Sequence, residues 1–272
     1  MPETPAPPGV LPTPLSDSRM PSRAVLGMRV DAPRSYDEAV ALISDWVGEG
    51  VARTVGVATV NNVMESYDDP SFRDVMNGCD LVTPDGMPLV WSLSILGVDA
   101  ATRVCGPQLT PLLLARAADR GIGVGFYGGS PETIDALRRV ATERWPNLKV
   151  AYAYSPPFRA LTAAEDAEAV REILDAEVGV LFIGLGCPKQ ERWMAEHRDR
   201  LPLVSIGVGA AFDFLAGSKR QAPRFLQRIG LEWAFRLVSE PRRLWRRYLR
   251  QNPRFLALFA RQVAAGRRGR AR

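Results

Sequence analysis

Histidine and cysteine are scarce in this sequence, and their scarcity argues against several kinds of chemistry. The 272 residues contain one histidine, His197, and three cysteines, Cys79, Cys105 and Cys187. Catalysis by a Cys/His pair would depend on His197, which we place on a surface helix, and no Cys/His cluster suits a metal ion. An odd number of cysteines without a CxxC spacing favours reduced thiols over a disulfide framework.

Membrane-spanning runs and the common nucleotide fingerprints are also missing. No stretch approaches the roughly 18 apolar residues of a membrane span, and the N-terminus lacks the features of a signal peptide, so we expect a cytosolic protein. The lack of GxxxxGKS or GxxxxGKT argues against a P-loop ATPase. Without a DxD triplet, arginines and backbone N–H groups must neutralise any bound diphosphate. Segments 184–189 and 207–212 carry only two fingerprint glycines each, which disfavours a nucleotide-dependent oxidoreductase but leaves it open.

Positive charge is concentrated near the C-terminus. Residues 228–272 contain 13 arginines and two glutamates, whereas residues 1–227 carry a net charge of about −6. Leu244, Trp245 and Leu249 stand among these arginines, which is typical of a helix at an anionic membrane surface. Two alternatives stay open, namely a packed helix with a solvated arginine face and a tail that binds nucleic acid.

Composition and periodicity divide the chain into three parts. Residues 1–23 contain seven prolines and are predicted to be a disordered leader. Residues 24–227 alternate strands and helices, which predicts an α/β, Rossmann-like, mostly parallel sheet with helices on both faces. Residues 228–272 are predicted to form a basic amphipathic helical appendage, interrupted at Pro241 and Pro253. The predicted strands are 54–60, 80–83, 124–129, 148–154, 178–186 and 203–209, and the predicted helices lie near 36–48, 70–78, 87–96, 107–120, 131–144, 162–176 and 188–199.

The residues that best suit chemistry follow four of these strands. Ligands of such sheets bind beyond the carboxyl ends of the strands. Polar or glycine-rich segments follow the strands there: 59–62, 84–86, 128–132 and 184–191. In the last two, glycines precede a proline at a helix start, so bare N–H groups can face an anion such as a nucleotide or sugar diphosphate. Pro84-Asp85-Gly86 is by itself also an ordinary turn sequence.

An ordered series of short motifs runs along the chain. They are Thr59-x-Asn61, Pro84-Asp85-Gly86, Arg103-x-x-Gly106, Gly128-Gly129, Gly184-Leu185-Gly186-x-Pro188-Lys189-Gln190-Glu191, Gly207-Val208-Gly209-x-x-Phe212-Asp213, Ala216-Gly217, Arg220-x-Ala222-Pro223, Gly230-Leu231-Glu232-Trp233-x-x-Arg236 and Glu240-Pro241-x-Arg243. In this order they resemble the motifs of the WecG/TagA/CpsF family of bacterial glycosyltransferases, and the resemblance covers about residues 25–250.

The resemblance implies a specific reaction. A sugar, N-acetylmannosamine or a related hexose, would move with inversion from a UDP-sugar to an undecaprenyl-diphosphate-linked sugar, without metal or cofactor. The reaction would take place at the inner face of the cytoplasmic membrane, in teichoic acid or surface polysaccharide synthesis, with the appendage meeting the membrane. Val60 stands where many members have proline, which leaves the donor sugar open. Apolar faces on the core helices permit a homo-oligomer.

The resemblance also implies roles for individual residues. Asp85 matches the catalytic base that takes a proton from the acceptor hydroxyl. Thr59 and Asn61 match positions that contact the donor sugar and support the base. The remaining substrate-binding candidates are Arg103, Gly128, Gly129, Gly184, Gly186, Lys189, Gln190, Arg236, Arg243 and Arg246, of which the arginines would stabilise diphosphate charge.

Most of these residues also have a purely structural interpretation. Asn61 could cap a helix, Gln190 could be a solvated residue of a first turn, and Glu191 could complement a helix dipole. Glu232 and Trp233 are expected to pack the appendage onto the core. Asp213, which follows another strand end, is the second candidate for the base.

Overall fold

A six-stranded parallel sheet forms the centre of the computed structural model, which describes residues 20–270. Its strand order is β4-β3-β8-β7-β5-β6, and a separate antiparallel hairpin is formed by β1 and β2. The α/β fold with a parallel sheet is therefore confirmed, while the predicted leader lies almost entirely outside the described residues. The strands are β1 (Ser22–Val25), β2 (Met28–Asp31), β3 (Arg53–Ala58), β4 (Leu81–Pro84), β5 (Val124–Gly128), β6 (Val150–Tyr154), β7 (Val180–Gly184) and β8 (Val204–Gly207).

Helices connect the strands and continue beyond the last one. All seven helices predicted for the core are present. The helices are α1 (Tyr36–Asp45), α2 (Val60–Asp68), α3 (Pro70–Asn77), α4 (Met87–Ile95), α5 (Gly106–Arg120), α6 (Pro131–Arg144), α7 (Ala163–Asp175), α8 (Lys189–His197), α9 (Ala211–Leu215), α10 (Arg224–Arg228), α11 (Glu232–Ser239) and α12 (Pro241–Arg270).

Apolar side chains cover both faces of the sheet, because successive residues of a strand point to opposite sides. Phe126, Phe182 and Ile206 are buried on one face, against α1, α5, α6 and α9. Leu181 and Ile183 alternate with Phe182 and are buried on the other face, against α7 and α8. Near β3 and β4 that second face is covered by the β1–β2 hairpin, α2, α3, α4 and α12. Loops, and not these packed helices, surround the carboxyl ends of the strands.

Three sequence predictions about elements were incomplete or wrong. The β1–β2 hairpin was not predicted, and α2 was missed because Val60 continues the β-branched run of β3. The predicted break at Pro253 is wrong, because α12 continues through this residue. Proline removes the N–H that would bond the carbonyl of Leu249, four residues earlier, so the helix continues without that one hydrogen bond.

The second half of α12 is built into the core. Phe255 and Phe259 are buried in the cluster that contains the hairpin and α2. Gln262 accepts a hydrogen bond from the N–H of Leu26 at 2.8 Å and donates one to the carbonyl of Ala24 at 2.7 Å. The helix therefore joins the appendage firmly to the β1–β2 side of the molecule. Within residues 20–270, no helix combines the length and apolar character needed to cross a bilayer.

Candidate active site

Asp85 lies directly beyond the end of β4, in a turn whose backbone is fixed by the neighbouring strand. Its N–H donates to the carbonyl of Ala58, the last residue of β3, at 2.8 Å. Gly86 is the N-cap residue of α4, so the chain turns sharply after the aspartate. The side chain of Asp85 lines a cavity of about 90 Å³, which we call the small cavity. The turn thus presents a carboxylate at the edge of the sheet where ligands bind.

Two arginines and a second carboxylate surround Asp85. Nη2 of Arg103 lies 3.2 Å from Oδ1 of Asp85 and 2.5 Å from Oε2 of Glu232, and Nε of Arg103 donates to the backbone carbonyl of Asp85. Nε of Arg236 lies 3.4 Å from Oε1 of Glu232. Among the described residues, no donor bonds the second oxygen of Asp85, Oδ2. That oxygen is available to take a proton.

Burial and mutual charge shift the ionisation of this cluster. Burial raises the pKa of Glu232, the nearby charge of Asp85 raises it further, and the two arginines oppose the rise. Desolvation lowers the pKa of Arg236, but Asp85 and Glu232 outweigh it and the net pKa is raised. The pKa of Arg103 is raised in the same way. Both guanidinium groups are therefore fixed positive charges at the small cavity.

Thr59 lines the small cavity, whereas Asn61 turns away from it. Thr59 is the N-cap of α2, and its partner in the capping box is Asn62, whose Oδ1 accepts the Thr59 hydroxyl at 2.8 Å. The side-chain amide of Asn61 donates to Sγ of Cys187 at 3.4 Å. The structure therefore brings Thr59 to Asp85 but places Asn61 behind the cavity. Asn61 is not the cap residue.

Gln190 and Glu191 are buried at the start of α8, so the interpretation of Gln190 as a solvated residue is wrong. Gln190 is 4% exposed, and its Oε1 accepts the N–H of Gly186 at 3.1 Å. Glu191 is fully buried, and its Oε1 accepts from the amides of Gln190 and Asn62, each at 3.0 Å. Neither side chain lines a cavity directly. Both lie behind the loop that follows β7.

A larger pocket of about 1130 Å³, which we call the large pocket, opens beyond β5, β7 and β8. Gly129, Gly184, Gly186 and Lys189 line it, together with the N-terminal turn of α6. Gly128 has a φ of +116°, and a Cβ there would meet the backbone of Gly184 at 2.7 Å, so its role is close packing of β5 and β7. A Cβ at Gly184 would meet the ring of Phe212 at 2.4 Å, whereas a Cβ at Gly186 would meet nothing within 4 Å, so only Gly186 leaves space open at the pocket.

His197 and Asp213 lie at the large pocket and not at the small cavity. The expectation of a surface position for His197 is wrong, because the ring is 4% exposed, stacks on Trp193 and bonds Asp166 at 2.8 Å. Asp213 forms an ion pair with Lys219 at 2.7 Å. A carboxylate paired in this way and remote from Thr59 suits a base less well than Asp85.

The appendage contributes more of the small cavity than the motifs suggested. Of its three predicted arginines, Arg236 lines the cavity, Arg246 is exposed with its guanidinium over the ring of Trp245, and the side chain of Arg243 is not among those that the structure describes. Sequence reasoning gave no site role to five residues that also line the cavity, namely Gln227, Glu232, Trp233, Tyr248 and Asn252. Glu232 and Trp233 belong to a recognised motif, whereas Gln227 on α10 and Tyr248 and Asn252 on α12 belong to none.

Comparison with known proteins places this arrangement in a family. Residues 23–269 match the sequence model of the glycosyl transferase WecG/TagA/CpsF family. The chain belongs to this family. Over 187 residues it is 30% identical to an N-acetylglucosaminyldiphosphoundecaprenol N-acetyl-beta-D-mannosaminyltransferase of Bacillus spizizenii, covering 68% of this chain and 70% of that protein. A protein of the same name from Bacillus subtilis is 29% identical over 199 residues, covering 71% and 74% of the two chains.

Membership confirms the resemblance and makes this chain a glycosyltransferase. The match extends beyond residue 250, where the resemblance seen in the sequence ends, and includes most of α12. That extent agrees with the burial of Phe255 and Phe259 in the core. The oxidoreductase and nucleic-acid-binding alternatives gain no support from these relatives.

Proposed function

We propose that this glycosyltransferase moves N-acetylmannosamine or a related sugar from UDP to an undecaprenyl-diphosphate-linked sugar, with inversion at the anomeric carbon. The observation that carries the proposal is the position of Asp85 in a cavity formed jointly by the sheet and the arginine-rich appendage. The two Bacillus relatives are named for a mannosaminyl transfer to N-acetylglucosaminyldiphosphoundecaprenol. Those names support the donor and acceptor classes.

A single carboxylate suits the proposed chemistry. Asp85 takes the proton of the acceptor hydroxyl while the hydroxyl oxygen forms a bond to the anomeric carbon. The bond from that carbon to the diphosphate oxygen breaks on the opposite side, and UDP leaves with the electron pair. Arg103 and Arg236 are the fixed positive charges beside this point, and we assign them to the developing charge of the diphosphate.

The two cavities suggest how the donor lies. We assign the nucleotide to the large pocket, where Gly129 and the N-terminus of α6 offer backbone N–H groups and Lys189 offers a positive charge. Three strand intervals separate the ends of β4 and β7, roughly 14 Å at about 4.8 Å for each interval. An extended nucleotide-diphosphate sugar can bridge that distance and bring its sugar to Asp85.

The appendage supports a membrane location for the acceptor. Val238, Trp245, Leu249 and Leu256 are exposed on α11 and α12, beside exposed arginines such as Arg246. Apolar and basic side chains on one surface favour a peripheral position on an anionic bilayer. We propose the inner face of the cytoplasmic membrane, where an undecaprenyl-linked acceptor and a UDP-sugar meet.

We also propose that the chain self-associates, on the basis of apolar side chains exposed on a helix of the α/β core. Trp91 and Ile95 on α4 are 48% and 58% exposed, and apolar side chains on one helix face can form a subunit interface. Light scattering of the purified chain between micromolar and submicromolar concentrations measures the expected homo-oligomer. A monomer throughout that range would remove it.

The deciding experiment is a panel of UDP-sugars with a short-chain lipid-diphosphate acceptor. UDP release is expected to require the acceptor, to persist in a chelator, and to fall at least about a hundredfold in Asp85→Asn, as for the loss of a general base. Asp213→Asn is the matched control, because it removes the second candidate carboxylate, and it should keep the chemical step. Near-normal turnover by Asp85→Asn would remove Asp85 from this role.

A further inference from the structure

A completely buried carboxyl group, that of Glu191, lies between the small cavity and the large pocket. Its Oε1 accepts two hydrogen bonds at 3.0 Å, from Nδ2 of Asn62 and from Nε2 of Gln190. Its Oε2 is buried and has no hydrogen-bond partner among the described residues. A buried polar oxygen without a partner is costly, so its retention calls for a reason.

The orientation of both amides follows from backbone donors on their far sides. Oδ1 of Asn62 accepts the N–H of Thr59 at 3.1 Å and its hydroxyl at 2.8 Å. Oε1 of Gln190 accepts the N–H of Gly186 at 3.1 Å. Because each amide oxygen is committed to these donors, each amide must present its N–H₂ group inward. Glu191 is the acceptor that both groups reach.

The two chains of hydrogen bonds end at the two binding regions. Thr59 lines the small cavity, and Gly186 lines the large pocket. We propose that Glu191 is a positioning residue for the sugar transfer, because its single oxygen Oε1 holds the amides that fix Thr59 on the acceptor side and Gly186 on the donor side. This inference rests on the proposed function, since that function assigns those two sides.

The network determines what Thr59 offers to the small cavity. Its hydroxyl proton is donated to Asn62, so toward the cavity its oxygen can only accept a hydrogen bond. If Asn62 turned over, its N–H₂ group would face Thr59 and the hydroxyl proton would be released. The hydroxyl could then donate into the cavity that contains Asp85, in competition with the acceptor substrate. Glu191 prevents this by bonding the N–H₂ group of Asn62.

The role requires Oε1 of Glu191 as a hydrogen-bond acceptor, and it requires no ion pair. Burial raises the pKa of Glu191, and no cation is paired with it in the described part of the chain. The titratable groups that face it are the thiols of Cys79 and Cys187, and burial and the charge of Glu191 raise the pKa of both, that of Cys79 to about 12. Glutamine has the same shape and the same acceptor oxygen, so Glu191→Gln should preserve the network. Leucine fills the space without any acceptor.

The test compares Glu191→Gln with Glu191→Leu in the full chain. Glu191→Gln should keep kcat/KM within about threefold of wild type, whereas Glu191→Leu should lose on the order of 10- to 100-fold, the range expected when reacting groups are misplaced. The loss should divide between a lower kcat and a higher KM for the UDP-sugar, because both sides of the network are released. Ile173→Ala is the control for stability, since Ile173 is a fully buried residue of α7 and lines neither cavity.

Amide hydrogen exchange supplies a readout that needs no substrate. The N–H groups of Thr59 and Gly186 should exchange at least about tenfold faster in Glu191→Leu than in Glu191→Gln, because their acceptors are no longer held. If wild type released no UDP from any sugar of the panel, the proposed function would fail. The amide exchange rates of Thr59 and Gly186 would then be the test of whether Glu191 holds the network. Either of two results would overturn the inference: Glu191→Leu matching Ile173→Ala, or Glu191→Gln as impaired as Glu191→Leu.

Discussion

At the scale of single residues, Arg103 holds two carboxylates at unequal distances. Its Nη2 lies 0.7 Å closer to Glu232, at 2.5 Å, than to Asp85, at 3.2 Å. A carboxylate that is strongly paired with a guanidinium is a poor proton acceptor. Arg103 makes its closer contact with Glu232 and its weaker contact with Asp85. The appendage thereby supplies a competitor that suits Asp85 to the role of base.

Removing that competitor should impair turnover. In Glu232→Gln, Arg103 keeps only Asp85 as an ionic partner, so the proposed base is held more tightly. We expect kcat/KM to fall on the order of tenfold, less than the roughly 10²- to 10⁴-fold contribution of a general base, because Asp85 is still present. Steady-state UDP release measures this effect. Glu168→Gln is the control, because Glu168 is exposed and pairs with Arg171 on the same helix. Unchanged turnover in Glu232→Gln would show that Glu232 does not compete for Arg103.

The raised pKa of Glu191 predicts a pH dependence of stability. The neutral form is favoured in the folded chain, so its contribution is complete below the usual value near 4.5 and is lost as pH rises through the raised pKa. Within that window the free energy of unfolding should fall by up to about 1.4 kcal/mol per pH unit relative to Glu191→Gln. Urea unfolding of both proteins between pH 4.5 and 8 measures the difference. A difference that does not vary with pH would show that Glu191 does not titrate abnormally.

The site could be predicted from the sequence only where its residues are consecutive or belong to a motif. Asp85 and Thr59 were found because each follows a predicted strand and matches a motif. The contact between Arg103 and Glu232 joins residues 129 positions apart, and no local pattern encodes it. Gln190 looked like a solvated residue because its burial depends on the loop after β7, whose path one sequence does not reveal.

At the scale of elements, the sheet could be predicted from local sequence. The helices that were predicted wrongly depend on capping and tertiary packing. The six strands are short β-branched runs between turn residues, and such runs are recognisable in isolation. Helix α2 escaped because its first residue, Val60, extends the preceding run, while the capping box of Thr59 and Asn62 starts a helix there instead. Pro253 predicts a break by its own chemistry, yet the burial of Phe255 and Phe259 keeps the helix continuous.

The buried end of α12 should contribute strongly to stability. Phe255 is 2% exposed among side chains of the hairpin and α2, so Phe255→Ala removes a buried ring and leaves a cavity. We expect a loss of about 3–5 kcal/mol in the free energy of unfolding. Leu256→Ala is the control one position along the helix, because Leu256 is 64% exposed, and it should change stability little. Equal effects in urea unfolding would show that α12 does not join the core.

At the scale of the whole molecule, charge is segregated toward one end of the chain. Residues 228–272 carry 13 of the 35 basic residues and only two of the 30 acidic ones. Exposed Trp245 and Leu249 lie on the same helix as exposed Arg246 and Arg250. A surface of this kind attracts an anionic bilayer electrostatically and holds it by apolar contact.

Binding to vesicles tests that surface directly. Each arginine near an anionic surface contributes about 1 kcal/mol, so the double variant Arg246→Gln with Arg250→Gln should lower the partition coefficient roughly 30-fold on vesicles of mixed neutral and anionic lipids. Co-sedimentation measures it. Arg138→Gln with Arg139→Gln removes the same charge from α6 and should leave binding unchanged. If both double variants lost binding equally, the attraction would be a property of net charge and not of the appendage.

The continuity of α12 through Pro253 restricts how the chain can vary in length. Tyr248 and Asn252 line the small cavity, and Phe255 begins the buried segment less than one turn later. Each residue of an α-helix advances the side chain by about 100° around the axis. One residue inserted between Asn252 and Phe255 would therefore rotate the cavity wall away from Asp85 or the phenyl rings out of the core. Additions beyond the buried segment change neither. Insertions and deletions should consequently be tolerated at the end of this helix and rejected at its centre.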